Sequence, residues 1–172
     1  DFVPGDWRRG AKPAEIEARL AEDRAHAIKA VMVVHNETST GATSPIAEIR
    51  KAMDRAGHPA LLMVDTISSL GSADFRMDDW GVDIAVGGSQ KGLMLPAGLA
   101  FVAVSEKARR ASQSATLPRA FWDWTPVIAA ANGTGALPYT PACNLFFGLK
   151  EALDMITEEG LENVFIRHAR HA

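Results

Sequence analysis

A chain of 172 residues, 47% hydrophobic and 23% charged, is long enough for one soluble-type globular domain with a real core. Its formal net charge of −3 argues against a polyanion-binding surface, and so against nucleic acid as a partner. Cys143 is the single cysteine, which excludes an internal disulfide framework and fits a reducing compartment, and no stretch approaches the ~18 to 20 apolar residues of a membrane span.

The pattern alternates short apolar runs with amphipathic stretches, which predicts βαβ units and a mainly parallel sheet. Residues 13–29 read as a helix with Ile16, Leu20 and Ala27-Ile28 near one face. Val31-Met32-Val33-Val34 is a short, fully apolar strand of the kind covered on both sides. A polar loop, His35 to Gly41, follows. Ser44 is expected to cap a helix with Pro45 at its first position, buried stripe Ile46, Ile49 and Met53, and Gly57 at its end. Leu61 to Val64 is a second strand, ending at Asp65. Ile84-Ala85-Val86 is a third, running into Gly87-Gly88-Ser89-Gln90-Lys91. Leu99 to Val104 is a fourth, and a helix starts near Glu106. Residues 112–139 are aromatic and irregular, with no assigned elements. A last long helix runs from about Pro141 to Glu159 and stops at Gly160. No linker interrupts the chain, so residues 1–172 are expected to form one domain.

The first residue is Asp1 and not a methionine, no signal peptide is legible, and the chain stops soon after the polar run Arg167-His168-Ala169-Arg170. Both ends are expected to be cut from something longer. The expected location is cytoplasmic, or an organelle such as the peroxisome in a eukaryote. Asn132-Gly133-Thr134 matches a glycosylation acceptor and is taken as chance.

Ligands of open α/β sheets sit beyond the carboxyl ends of the strands. Three strands here deliver polar groups to that end: the His35–Gly41 loop, Asp65, and Ser89-Gln90-Lys91. A carboxylate after one buried strand and a lysine after its neighbour suit a pyridine-ring cofactor. The carboxylate keeps the ring nitrogen protonated, and the lysine forms an imine and moves a proton. A hydroxyl such as that of Thr38 would support the ring oxygen, and glycines before the lysine allow close backbone approach. Each feature alone has a plainer reading. A strand-end Asp is more often a turn cap. A lysine is usually a solvated charge. His35 can be a loop histidine satisfied by backbone. Gly87-Gly88 can be a turn, and Phe121-Trp122-Asp123-Trp124 is more often core or interface packing.

The segments His-Asn-Glu-Thr-Ser-Thr-Gly (35–41), Val-Asp-Thr-Ile-Ser-Ser-Leu-Gly (64–71) and Gly-Ser-Gln-Lys-Gly-Leu-Met-Leu-Pro-Ala-Gly (88–98) resemble class V aminotransferases of fold type I, in particular the serine–glyoxylate and alanine–glyoxylate aminotransferases. Pro-Gly-Asp-Trp-Arg-Arg-Gly (4–10) and Pro-Tyr-Thr-Pro-Ala (138–142) also fit. The resemblance implies a three-layer α/β sandwich, of which this chain is the central part of the large domain. It implies pyridoxal 5′-phosphate held by Lys91 as a Schiff base, with Asp65 at the ring nitrogen, Thr38 at the ring hydroxyl and Gln90 at the phosphate. Thr140, together with Tyr139, would reach the phosphate of a neighbouring subunit's cofactor, so a homodimer is expected. The implied reaction moves an amino group from serine or alanine to glyoxylate. No metal is called for.

Family members run to roughly twice this length. Their phosphate-binding loop, ring-stacking aromatic and substrate-clamping arginine are not found among these 172 residues, so the isolated piece is expected to be feeble or inactive. The alternatives are another fold type I enzyme, such as a cysteine desulfurase or a different small-amino-acid aminotransferase, a non-catalytic domain, and a hydrolase. A cysteine desulfurase needs a mobile loop cysteine, whereas Cys143 is expected to be packing at a helix start. A non-catalytic α/β interaction domain sits poorly with the presence of both Lys91 and Asp65. A serine hydrolase needs a Gly-x-Ser-x-Gly turn, which is missing.

Overall fold

The computed structural model describes residues 1–133, 135 and 137–172. Thr134, which completes the Asn132-Gly133-Thr134 match, lies outside the described residues. The order of elements is α1 (Pro13–Glu22), β1 (Ala30–Val34), α2 (Ile46–Arg55), β2 (Leu61–Asp65), β3 (Ile84–Gly88), β4 (Ala100–Val104), α3 (Glu106–Gln113), α4 (Trp124–Asn132), α5 (Cys143–Glu159) and α6 (Leu161–His171). The four strands form one sheet in the order β1-β2-β3-β4. β1, β2 and β3 run parallel, and β4 returns antiparallel to β3. The expected α/β architecture with a mainly parallel sheet is therefore present.

α1 begins on a proline, whose fixed φ suits a first helical position, and buries Ile16 and Leu20. It stops seven residues before the predicted end at Lys29. The cause is Asp23, whose carboxylate accepts the Ala27 and Ile28 backbone N–H groups at 3.0 and 2.7 Å. That offers the backbone a local alternative to the helix, and His26 takes a left-handed φ of 51° in the resulting turn. Ser44 also departs from expectation. Its hydroxyl caps no helix but accepts the Ala11 N–H at 3.1 Å, and Pro45 occupies the cap position of α2. Gly10 presses so close to this junction that a Cβ there would lie 2.2 Å from the Thr43 carbonyl oxygen.

The core lies between these two helices and one face of the sheet. Ile16, Leu20, Val33, Ile46, Ile49, Met53, Leu62 and Val64 form one buried cluster. A second cluster sits at the carboxyl end, where Leu93 and Leu95 pack against Ala152, Ile156 and Val164 of α5 and α6. The other sheet face is open along β1 and β4. Met32 is 77% exposed, and Val34 on the same strand and Val102 on β4 are exposed on the same face, so the strand predicted to be covered on both sides is covered on one within this chain. Asp65 shares that face, being paired in register with Val34 and Val86.

Two helices went unassigned in the sequence. α4 follows Asp123, which caps it by accepting the Thr125 N–H at 2.9 Å, yet it buries none of its residues. Phe121 and Trp122 just before it are also largely exposed, so core packing does not explain that aromatic segment here. α6 follows directly on Gly160, whose φ of 85° turns the chain between α5 and α6. Within the described residues no helix is long and apolar enough to cross a membrane.

Ile49 is fully buried between α2 and the sheet. Its replacement by alanine is expected to destabilise the fold by about 2–5 kcal/mol, as read from chemical denaturation midpoints.

Candidate functional site

The carboxyl ends of β1, β2 and β3 converge because the three strands are in continuous parallel register. The His35 N–H donates to the Asp65 carbonyl at 2.9 Å, and the Thr66 N–H donates to the Val86 carbonyl at 2.8 Å. Thr38, Asp65 and the Gln90–Lys91 pair thus hang from adjacent strands at one edge.

Asp65 is half-buried. Its Oδ1 accepts the Ile67 N–H at 2.8 Å. Among the described residues its Oδ2 takes no hydrogen bond, so one oxygen is fixed and the other is available. The plainer expectation of a turn cap and the expectation of a site carboxylate are both compatible with that geometry. After Asp65 the chain makes a tight hydroxyl-rich turn. The Thr66 hydroxyl donates to the Val86 carbonyl at 2.8 Å, and Ser68 Oγ lies 2.6 Å from Thr38 Oγ1. Ser69, fully buried, lies 2.9 Å from His35 Nδ1.

His35 is 4% exposed and packs against the rings of Phe75 and Trp80. Burial holds its pKa below the ordinary histidine value of 6.5, with Asp74 pulling weakly the other way. It is a satisfied core histidine that ties the β1 loop to the β2 turn. The carbonyl of His35 also accepts the Ser44 N–H at 2.8 Å, closing the loop that carries Thr38.

The lysine sits on a loop pinned at its base. Ser89 is fully buried. Its hydroxyl donates to the Pro96 carbonyl at 2.8 Å and accepts the Leu99 N–H at 3.2 Å, while its own N–H donates to the Leu99 carbonyl at 3.1 Å. Met94 turns the loop with φ 61° and donates its N–H to the Lys91 carbonyl at 2.9 Å. Gly92 is required by contact: a Cβ there would lie 2.4 Å from both the Leu70 carbonyl oxygen and Ser72 Oγ. Lys91 and Gln90 are exposed, and Gln90 folds back so that a Cβ on Gly88 would meet its Oε1 at 2.9 Å.

The structure therefore brings Thr38, Asp65, Gln90 and Lys91 to one edge. It does not connect Tyr139 or Thr140 to them. Both are exposed, and the Tyr139 ring packs tilted at 50° against Phe121 with centroids 4.9 Å apart. Cys143 is exposed at the first turn of α5, so the expectation that it serves as packing fails. Among the described residues, surface grooves lie elsewhere. One of about 900 Å³ runs between the N-terminal segment, α1 and β1, and one of about 690 Å³ lies beside Arg50, Trp80 and Lys107. Neither includes Asp65 or Lys91. Sequence reading missed Ser68, Ser69 and the buried role of Ser89. The signal was the run Asp65-Thr66-Ile67-Ser68-Ser69, since Asp, Ser and Thr after a strand favour local backbone bonds.

Residues 11–172 match the family model described as "Aminotransferase class-V". The chain is 55% identical to a serine–glyoxylate aminotransferase of Methylorubrum extorquens, over 95% of this chain and 42% of that protein. It is 52% identical to an L-aspartate–glyoxylate aminotransferase of Paracoccus denitrificans, over 99% of this chain and 43% of that protein. A solved structure of an alanine–glyoxylate aminotransferase from Nostoc sp. superposes with a TM-score of 0.86 at 32% identity, covering 96% of this chain and 43% of that one. The chain thus spans about two-fifths of the length of the curated relatives it matches. A cysteine desulfurase of Thermococcus onnurineus, at 19% identity and TM-score 0.67, shares the fold alone.

Because the folded protein favours neutral His35, the stabilisation tied to it is complete above about pH 6.5 and is lost as pH falls through the lowered folded value. Denaturation midpoints measured between pH 7 and pH 5 are expected to fall less steeply in a His35→Gln variant than in the wild type. Gly92→Ala is expected to cost roughly 1–3 kcal/mol through the clash with Leu70 and Ser72, against little change for Ala at exposed position 97 replaced by serine.

Proposed function

The chain belongs to the class V aminotransferase family, and we propose that the protein it forms moves an amino group from a small amino acid to glyoxylate, with serine as the first donor to test. The observation that carries the reading is the convergence of Asp65, Thr38 and Gln90–Lys91 at the ends of three adjacent parallel strands. The relatives named above differ in amino donor (serine, aspartate, alanine) and share glyoxylate as acceptor. Transfer from serine would yield hydroxypyruvate and glycine; from alanine it would yield pyruvate.

The residues present suit pyridoxal 5′-phosphate. Asp65 offers one anchored and one available carboxylate oxygen, Thr38 offers a hydroxyl, and Lys91 offers an amine on a loop held by buried Ser89. The cofactor, when bound, supplies a protonated ring that withdraws electrons from the substrate's α-carbon. Asp65 would hold the proton on the ring nitrogen. Thr38 Oγ1 would hydrogen-bond the ring hydroxyl. Gln90 would contact the phosphate. Lys91 Nζ would hold the cofactor as a Schiff base and, once the substrate's amino group displaces it as a free amine, would take the α-proton from the substrate and return it one position along, completing the 1,3-shift.

The same reading makes residues 1–172 the central part of a cofactor-binding large domain. Exposed Tyr139 and Thr140 would reach the phosphate held by a second copy, making the working form a homodimer. The free thiol of Cys143 supports a reducing, cytoplasmic setting.

The test is spectroscopic. Full-length protein is mixed with pyridoxal phosphate, its visible spectrum is recorded before and after borohydride, and the modified peptide is mapped. The expected result is a visible band that borohydride abolishes, with the label on Lys91. A Lys91→Ala variant should lose the band and at least about 10²-fold in serine–glyoxylate turnover. Well-folded protein with no band, or label on another lysine, would overturn the assignment.

A further inference from the structure

We infer that Ser68 is a positioning residue for the cofactor, holding the Thr38 hydroxyl so that the threonine's own proton is directed at the ring oxygen. The inference rests on the cofactor reading above and adds a residue to it. Thr38 is exposed on a polar loop between the ends of β1 and α2. An exposed threonine side chain samples more than one staggered rotamer unless something selects among them. Among the described residues, the one hydrogen-bond partner of its side chain is Ser68, with the two hydroxyl oxygens 2.6 Å apart.

A hydroxyl has one proton to give and two lone pairs to accept with. If Ser68 donates, Thr38 Oγ1 is satisfied as an acceptor and keeps its proton for a third group. Ser68 is well placed to do this because its own position is fixed from both sides. The preceding residue, Ile67, gives its N–H to Asp65 Oδ1 at 2.8 Å. The following residue, Ser69, is buried, gives its N–H to the Thr66 carbonyl at 3.0 Å, and meets His35 Nδ1 at 2.9 Å. One five-residue turn therefore sets Asp65 directly and Thr38 through Ser68. The distance between the groups proposed for the ring nitrogen and the ring hydroxyl is fixed by a single piece of backbone.

The experiment uses full-length protein with Ser68→Ala, and Ser68→Thr as the conservative control. Affinity of the apo-protein for pyridoxal phosphate is measured by equilibrium dialysis, and the visible band of the cofactor–lysine linkage is titrated with pH. Losing one hydrogen bond should weaken cofactor affinity about 3- to 10-fold in Ser68→Ala. The band's pH midpoint should move upward, because a ring oxygen with a weaker donor holds the linkage proton more tightly. The apo-protein's melting temperature should stay unchanged, and Ser68→Thr should restore both readouts. Wild-type protein that forms the band on Lys91, beside a Ser68→Ala protein with unchanged affinity and midpoint, would overturn the inference and leave the cofactor reading standing. A Ser68→Ala protein that loses affinity only in step with its melting temperature would overturn it as well, showing a merely structural role. Wild-type protein that forms no band would sink both.

Discussion

The parallel register of β1, β2 and β3 is the constraint on which the rest depends. Asp65 ends the middle strand, and its backbone is bonded on one side to His35 while the next residue is bonded on the other to Val86. Side-chain direction alternates with period two, so a slip of one residue would turn the Asp65 carboxylate to the opposite face. The buried cluster of Val33, Val64 and Ala85 on the helix-covered face forbids that slip. Hydrophobic burial on one side of the sheet thereby aims a carboxylate on the other.

The polar groups beyond the strands are held by a hierarchy of local bonds. His35 and Ser69 are buried and join two loops; Ser89 is buried and closes a third. The exposed groups, Thr38, Gln90 and Lys91, are carried by these anchors. The arrangement separates stability from chemistry. Neutral, apolar-enclosed or backbone-satisfied side chains hold the loops, and the groups with free donors and acceptors face outward.

Much of this was legible in the residues. The four strands followed from short apolar runs, and the buried stripe Ile46, Ile49 and Met53 followed from its 3.6-residue period. What failed did so for identifiable reasons. α1 ends early because Asp23 satisfies two backbone N–H groups that a longer helix would have claimed. Ser44 reads as a cap by type and position, but a distant partner, Ala11, takes its oxygen. α4 buries nothing and carries no apolar stripe set by packing in this chain, so periodicity had little to report. At the site, residue type identified Asp65, Thr38 and Lys91 as a set, whereas the Ser68–Thr38 and Ser69–His35 contacts span 30 and 34 residues and have no local sequence signature.

The loop from Ser89 to Leu99 leaves the sheet and re-enters it through a neck in which Ser89 is hydrogen-bonded to Leu95, Pro96 and Leu99, before β4 runs back antiparallel to β3. A closed neck isolates what lies beyond it. Both feet of the excursion are clamped to each other, so strand register on either side is set at Ser89 and Leu99 and not by the exposed residues between them. The surroundings of Lys91 are thus open to change at exposed positions such as Pro96 and Ala97, and closed to it at Gly92, Leu93 and Leu95, which pack against the β2 turn and the last two helices.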